Sequence, residues 1–307
     1  MRTVMVTGVG GFIGSRVARR LVQDGARVVG VDDFSSGSRS NVPLEVDFVE
    51  LDLSHPDAAG RLPRNCGPIL HLAGQSSGEL SFRDPADDLR RNTVSTLNLI
   101  RYASENTVDR IVFASSMSVY GDVPDRPVRE SDRTEPLSCY GIAKLASERY
   151  LRLHMETVPS VILRMFNVYG PGQDLSNSRQ GMVSIYLAQA LDTGNIEVRG
   201  ALERFRDLVF IDDVVEAWIR AASVEVALGG TYNVATGVRT TVSDLLHQLC
   251  ALIPGSSHQV LPGTLGDQSG IYGDVSLLSR DLGLSCSTSL AVGLGRFVEW
   301  ARPTASS

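Results

Sequence analysis

The sequence predicts an α/β protein, a doubly wound parallel sheet followed by a smaller mixed α/β lobe at the C-terminal end. Two observations carry this. Short apolar runs alternate with helical patterns through the first half of the chain, as βαβ units require. The first run, Val4 to Thr7, leads directly into Gly8-x-x-Gly11-x-x-Gly14 and a helical pattern, the context that gives a glycine spacing its meaning. With 307 residues, 43% of them hydrophobic, the chain can bury a full core without staples.

Val4 to Thr7, Val28 to Val31, Asp47 to Glu50, Pro68 to Leu72, Ile111 to Ser115 and Val161 to Met165 read as strands buried in a parallel sheet. Gly14 to Gln23, Ala86 to Glu105 and Tyr140 to Glu156 read as helices between them, the last two long and amphipathic. Their apolar faces fit a helix-bundle homodimer seam and a buried core face equally well. After Gly170-Pro171-Gly172 the alternation breaks down. A polar loop, Gln173 to Gly181, leads into a helix, Met182 to Asp192, where a second lobe begins. A strand and an alanine-rich helix over Asp207 to Ala222 return to the first lobe. The expected division is residues 1–168 and 169–307, with a return near 207–235, and fraying after Trp300.

Net charge is −6 with both signs interspersed, which argues against a nucleic-acid partner. No apolar run reaches the length of a membrane span, and no repeat is visible. Cys66, Cys139, Cys250 and Cys286 show no CxxC or metal-ligand spacing and the start shows no signal-peptide pattern, so no metal and a reducing cytoplasm are expected. Cys139 has no His nearby in sequence to activate it.

In the glycine turn, Gly8, Gly11 and Gly14 allow a tight bend and close approach of backbone to a pyrophosphate, with helix amides free to receive it; Phe12 and Ile13 lie between them. Asp32 ends the second strand. A carboxylate there accepts from both ribose hydroxyls and repels a 2′-phosphate, which selects NAD over NADP. Asp33 adds to that charge; Arg39 comes late, behind both. Phe34, Ser35, Ser36 and Gly37 follow directly and belong with the adenosine end. Asp52, beside Leu53, is placed either to receive the adenine amino group or to cap the turn Leu53-Ser54-His55-Pro56.

Tyr140-x-x-x-Lys144 sits at the start of a helix. This spacing puts both side chains on one face about 6 Å apart at Cβ, so the ammonium is expected to hold down the phenol's pKa and make Tyr140 usable as a base. Ser116 lies one strand earlier.

These residues resemble the extended short-chain dehydrogenase/reductase family, and within it the nucleotide-sugar epimerases. The resemblance runs from Val4 to about Glu299. It includes the glycine turn, Val31-Asp32-Asp33-Phe34, His71-Leu72-Ala73-Gly74, Asn92-Thr93, Ser115-Ser116-Met117-Ser118-Val119-Tyr120-Gly121, Tyr140-x-x-x-Lys144 and Arg164-Met165-Phe166-Asn167-Val168-Tyr169-Gly170. It implies a Rossmann lobe holding tightly bound, recycled NAD and a C-terminal lobe holding a nucleoside-diphosphate sugar, with a UDP-sugar foremost. Tyr140 would be base and acid at the sugar hydroxyl, Ser116 its hydrogen-bonding partner and Lys144 the cation on the nicotinamide ribose. Leu72, Ala73, Gly74, Gln75, Asn92, Ser115 and Phe166 would face the cofactor. Ser76, Asn167, Arg206, Asp267 and Ile271 would face the sugar nucleotide, Arg206 through the planar fork that suits a diphosphate.

Family members share oxidation at the sugar C4 and differ afterwards. Dehydratases carry an Asp-Glu pair directly after the Ser/Thr position, and decarboxylating members keep a Glu at the second site. Here the pair is Met117-Ser118, so the resemblance implies C4 epimerisation through a 4-keto sugar. A reductase or dehydratase is the alternative, and a non-catalytic NAD-binding regulator a third. Two departures touch substrate. Thr264 stands where an Arg commonly reaches the diphosphate, and Ile271 is intermediate between the large residue associated with plain hexoses and the small one associated with N-acetylated sugars.

Overall fold

A computed structural model describes residues 3–64, 66–178, 181–263 and 269–302. Seven parallel strands form the central sheet, in the spatial order Thr231–Val234, Ser160–Met165, Ile111–Ser116, Cys66–His71, Thr3–Thr7, Val28–Asp32 and Asp47–Glu50. Each expected strand is present within two residues of its sequence bounds. The seventh, Thr231–Val234, comes from late in the chain and closes the edge beside Ser160–Met165.

Side chains alternate across these strands, and the two faces bury separate cores. Val4, Val6, Leu70, Val112, Ala114, Val161 and Leu163 pack on one face with the helices Phe12–Gln23 and Ile211–Ser223, around the fully buried Trp218. Met5, Val31, Ile69, Phe113 and Ile162 pack on the other with Leu99, Tyr102 and Leu151. The inner strands are therefore continuous apolar runs; the edge strand Asp47–Glu50, expected to be buried, is mostly exposed because no described strand pairs with its outer side.

The expected single helix from Ala86 to Glu105 is interrupted. Pro85–Leu89 and Ser95–Glu105 are α-helical, but Arg90–Val94 between them forms a π turn. Side chains drawing on its carbonyls accompany the wider turn: the Asn92 carbonyl accepts from Ser147 Oγ and Thr96 Oγ1, and Thr93 Oγ1 donates to Ala143 O. These bonds tie the π turn to the helix Cys139–Leu153, which stops three residues short of the expected Glu156. Such turns concentrate at functional sites.

The C-terminal part contains the helices Met182–Asp192 and Val242–Leu252, the parallel pair Asn195–Arg199 with Ser257–Leu261, and a three-stranded patch. In that patch Phe205–Arg206 lies between Thr240–Thr241 and Gly270–Ile271, which sets Arg206 opposite Ile271. Among the described residues no helix is long and apolar enough to cross a membrane, and no group of three or more His, Cys, Asp or Glu is arranged to hold a metal.

Candidate active site

Strand order reverses between Thr3–Thr7 and Cys66–His71, and there the carboxyl ends of the strands open into a cleft of about 990 Å³. A crevice at such a switch point is the binding place this topology provides. Its floor is the glycine turn. Gly8 has φ +70°, and a β-carbon at Gly14 would sit 2.0 Å from the Gly8 carbonyl, so strand and helix meet only because that atom is missing. Phe12, Ile13 and Gly11 line the same wall.

Asp32 holds this turn open. Its two carboxylate oxygens accept from Gly10 N and Phe34 N, each at 2.8 Å, and it faces the cleft. Burial raises its pKa, with those two backbone donors acting in the opposite direction. Asn41 Nδ2 donates to the Gly10 carbonyl at 2.9 Å, folding the segment after Asp32 back onto the glycines. Asp33, Ser35, Ser36 and Gly37 line the cleft too.

Asp33 does not add free negative charge there. Arg91 Nη1 lies 3.1 Å from its carboxylate and donates to Ser35 Oγ at 2.8 Å. This corrects the expectation that Asp33 reinforces the selection against a 2′-phosphate, and leaves that charge to Asp32. Phe34 is corrected in part: its backbone serves Asp32, while its ring stands edge-on to Phe48 under the Arg39 guanidinium, off the cleft wall. Arg39 is further engaged by Glu50. Asp52 lines the cleft with Leu53 and also caps its turn, accepting from Ser54 N at 2.8 Å and Ser54 Oγ at 2.7 Å.

Deeper in, Leu72, Ala73, Gly74, Gln75 and Ser76 form the wall that faces Tyr140 and Lys144. This loop hangs on a buried relay: His71 Nδ1 is 2.9 Å from Thr7 Oγ1, which accepts from Ala73 N, and His71 Nε2 is 3.1 Å from Thr96 Oγ1. Burial, then the nearby Lys144 charge, press the His71 pKa down to about 3. The unfolded chain binds a proton near 6.5 that the folded one refuses until about 3. His71 therefore contributes stability that is lost as pH falls from about 6.5 towards 3. The variant His71→Gln is expected to be less stable at neutral pH, yet to lose less stability on acidification, by on the order of a few kcal/mol over that window. Urea unfolding at pH 4 and pH 7 reads the difference, and parallel losses would remove the assignment.

Tyr140 and Lys144 stand in the first turns of the helix Cys139–Leu153, whose N-cap Ser138 accepts from Gly141 N at 3.0 Å. The Lys144 ammonium is 5.7 Å from the Tyr140 ring centre and 5.1 Å from that of Phe113. Ser116 caps the 3-10 turn Met117–Val119, accepting from Ser118 N and donating to Ser118 Oγ, each at 3.2 Å, and its hydroxyl is near enough to act on the Tyr140 phenol. The expected depression of the phenol is not what these side chains produce. Burial raises Tyr140 to about 12, with Ser116 pulling down and the Asp88 carboxylate pushing up. Burial likewise lowers Lys144 to about 8, with Asp88 opposing. Desolvation outweighs the local charge for both groups.

Asn92 lies at the centre of the π turn, fully buried, with its Oδ1 unpartnered. A β-carbon on Gly74 would meet that oxygen at 2.4 Å and Lys144 Nζ at 3.3 Å, so the two groups converge on the cleft through the space Gly74 leaves. Ser115 and Phe166 are corrected. The Ser115 hydroxyl donates to the buried Glu148, itself paired with Arg164, because alternate residues of a strand face opposite sides. Phe166 is buried in the core with its ring against Gly273.

Of the residues expected on the substrate, Asn167 and Arg206 stand on strands joined through Asp207, and neither lines the cleft described above. Leu208 pairs with Asn167 in register, Asn167 N donates to Asp207 O, and Asn167 Oδ1 is buried without a partner. Arg206 Nη1 donates to the Phe205 carbonyl at 2.7 Å, and the carboxylate of the adjacent Asp207 accepts from Thr236 N, Gly237 N and Gly273 N. Ile271 is buried in the hydrophobic core rather than on the wall of this cleft. Asp267 and Thr264 lie outside the described residues. Sequence reasoning missed Arg91, Gln173 and Trp300, which also line the cleft. Arg91 adjoins a recognised asparagine, but Trp300 arrives from the far end of the chain and carries no local signal.

These residues fit a dinucleotide: a glycine cradle that any β-carbon would fill, a carboxylate at the second strand's tip, and buried polar atoms aimed past Gly74. The family model described as the NAD dependent epimerase/dehydratase family matches residues 4–235. The UDP-glucose 4-epimerase of Mycolicibacterium smegmatis is 35% identical, covering 98% of this chain and 99% of that protein. Two solved structures share the fold closely. The UDP-glucose 4-epimerase of Thermotoga maritima with UDP-glucose has a TM-score of 0.93 at 32% identity, over 97% of this chain and 98% of that one. The UDP-N-acetylglucosamine 4-epimerase of Methanobrevibacter ruminantium has 0.90 at 27%, over 97% of each. Match and cleft agree: this chain belongs to the NAD-dependent epimerase/dehydratase family of extended short-chain dehydrogenases/reductases, and NAD is its cofactor.

Proposed function

We propose that the protein epimerises a nucleoside-diphosphate sugar at C4, with UDP-glucose and UDP-galactose as the leading pair and retained NAD recycled within each turnover. The observation that carries the reading is that Tyr140 and Lys144 line the cleft together with Ser116 acting on the phenol, and that Met117 and Ser118, with no carboxylate, directly follow Ser116. NAD, when bound, supplies the two-electron acceptor and donor. Tyr140 takes the proton of the sugar 4-hydroxyl and returns it to the oxygen of the 4-keto sugar after the hexose has presented its other face. Ser116 hydrogen-bonds the phenol through both transfers. Lys144 binds the nicotinamide ribose and lends positive charge, which the buried phenol requires. Asn167 and Arg206 hold the diphosphate while the sugar turns. The cofactor residues fall in 1–168; of the diphosphate residues Arg206 falls in 169–307, while Asn167 stands just before that division, and 207–235 returns to the sheet.

Proton NMR of UDP-glucose, UDP-galactose and their N-acetylated counterparts, incubated with the purified protein, tests the reading. A C4 epimer without net change in NADH is expected. Loss of water or stoichiometric cofactor consumption would instead establish the dehydratase or reductase reading. Turnover of the acetylated pair would widen the substrate class.

Asp32→Ala is expected to weaken NAD binding about tenfold or more, through loss of both a ribose ligand and the anchor of Gly10, and to narrow the preference over NADP. Binding measured for both dinucleotides decides it; an unchanged ratio counts against the ribose role. The homodimer belongs to the same proposal. Ile142, Tyr150 and Leu153 share an exposed face of the helix Cys139–Leu153, with Leu89 and Phe82 exposed on neighbouring helices. Light scattering should give twice the 33.1 kDa chain mass, and Leu153→Glu should halve it.

A further inference from the structure

Asp88 has no part in the reading above, yet its carboxylate is 1% exposed and lies directly behind the proposed centre. It sits one helical turn before Asn92. Its Oδ1 accepts from Gln75 Nε2 at 2.8 Å and from Asn92 Nδ2 at 3.1 Å. Its Oδ2 is buried with no hydrogen-bond partner among the described residues. A carboxylate in such a place needs a counter-ion, because its desolvation is otherwise uncompensated.

The groups around it identify that counter-ion. From its own helix come Asp87, of like charge, and Arg91, which is turned to Asp87, Asp33 and Ser35. From the sheet comes His71, which stays neutral above about pH 3. From the helix Cys139–Leu153 come Tyr140, a phenol, and Lys144, a cation whose field acts on Asp88. Lys144 is also the one lysine among the 29 lysines and arginines of the chain. Everywhere else the positive charge is the permanently charged, planar guanidinium, so an ammonium is kept only where compactness and a tunable proton matter.

We propose that Asp88 is a positioning residue of the Ser116–Tyr140–Lys144 centre: its buried carboxylate is the counter-ion of the Lys144 ammonium and, through Asn92 and Gln75, fixes the wall on which that ammonium rests. The inference rests on the reading of Tyr140 and Lys144 as proton-transfer machinery. Asp88 opposes the loss of the Lys144 proton that burial promotes.

A single lysine makes this directly measurable. Protein labelled with [ε-¹³C]lysine gives one side-chain resonance, and its pH titration reads Lys144 alone in the full-length, NAD-loaded protein. Asp88→Asn is isosteric and keeps Oδ1 as an acceptor for Gln75 and Asn92. It is expected to move the Lys144 midpoint down by about one pH unit or more, and to move the alkaline limb of kcat down with it. Asp88→Glu, which retains the charge one methylene away, should bring both back towards wild type and serves as the second variant if Asn does not fold.

A midpoint unmoved in a folded Asp88→Asn protein overturns the proposal, as does a fall in melting temperature with both titrations in place, the result a merely structural residue gives. Tyr140→Phe separates this from the parent reading. Should that variant remain active, the parent reading falls; should it be inactive while the Lys144 titration ignores Asp88, only the present inference falls.

Discussion

Tyr140→Phe is expected to lower kcat by about a hundred- to ten-thousand-fold, the range that a positioned acid–base group commands, while leaving NAD bound. The ring remains in the first turn of its helix, with the Ser138 cap intact, so only the hydroxyl is lost. Ser116 cannot replace it, because an aliphatic hydroxyl is a far weaker acid than a phenol. Turnover by proton NMR and NAD content by absorbance after unfolding measure the two halves of this expectation. A near wild-type rate would end the assignment of Tyr140. The pH dependence carries further information. Burial holds the phenol near 12 and the ammonium near 8 in the protein's own field, so activity should decline on the alkaline side as Lys144 loses its charge.

Lys144→Arg keeps a positive charge and is nonetheless expected to cost about a hundredfold or more in kcat/KM, with weaker NAD retention, since displacement of a positioned group by about 1 Å is enough for that loss. The ammonium is packed above Phe113 and beside the Gly74 and Asn92 wall, in a place 4% exposed. A planar guanidinium is wider than the ammonium and would not present its charge at the same point beside Asn92 and the Gly74 loop. It also cannot titrate near neutral pH. A variant with normal kinetics and full NAD content would show that charge alone suffices at this position.

The inner strands were readable because they are covered on both faces, and a residue buried on either side must be apolar. The glycine turn was readable because a β-carbon at Gly14 would strike the Gly8 carbonyl, a constraint local enough to write itself as a spacing. The π turn at Asn92 was not. Its sequence continues the helical periodicity, and the bonds accompanying it include Ser147 from another helix. Side-chain direction failed in the same way at Ser115 and Phe166, where the pleat and the core decided which way each residue points.

By itself, then, the sequence determined six of the seven strands of the sheet, the dinucleotide turn, and the pairing of Tyr140 with Lys144 on one helical turn. Each of these depends on neighbours a few residues away and on backbone sterics. Only the tertiary structure decided that Arg91 neutralises Asp33, that Asp88 stands behind Lys144, and that Ile271 is buried away from the cleft wall. It also reversed the expected direction for the phenol. Coulomb interactions and desolvation depend on separation in space and on the exclusion of water. Those quantities come into being only when distant segments pack together.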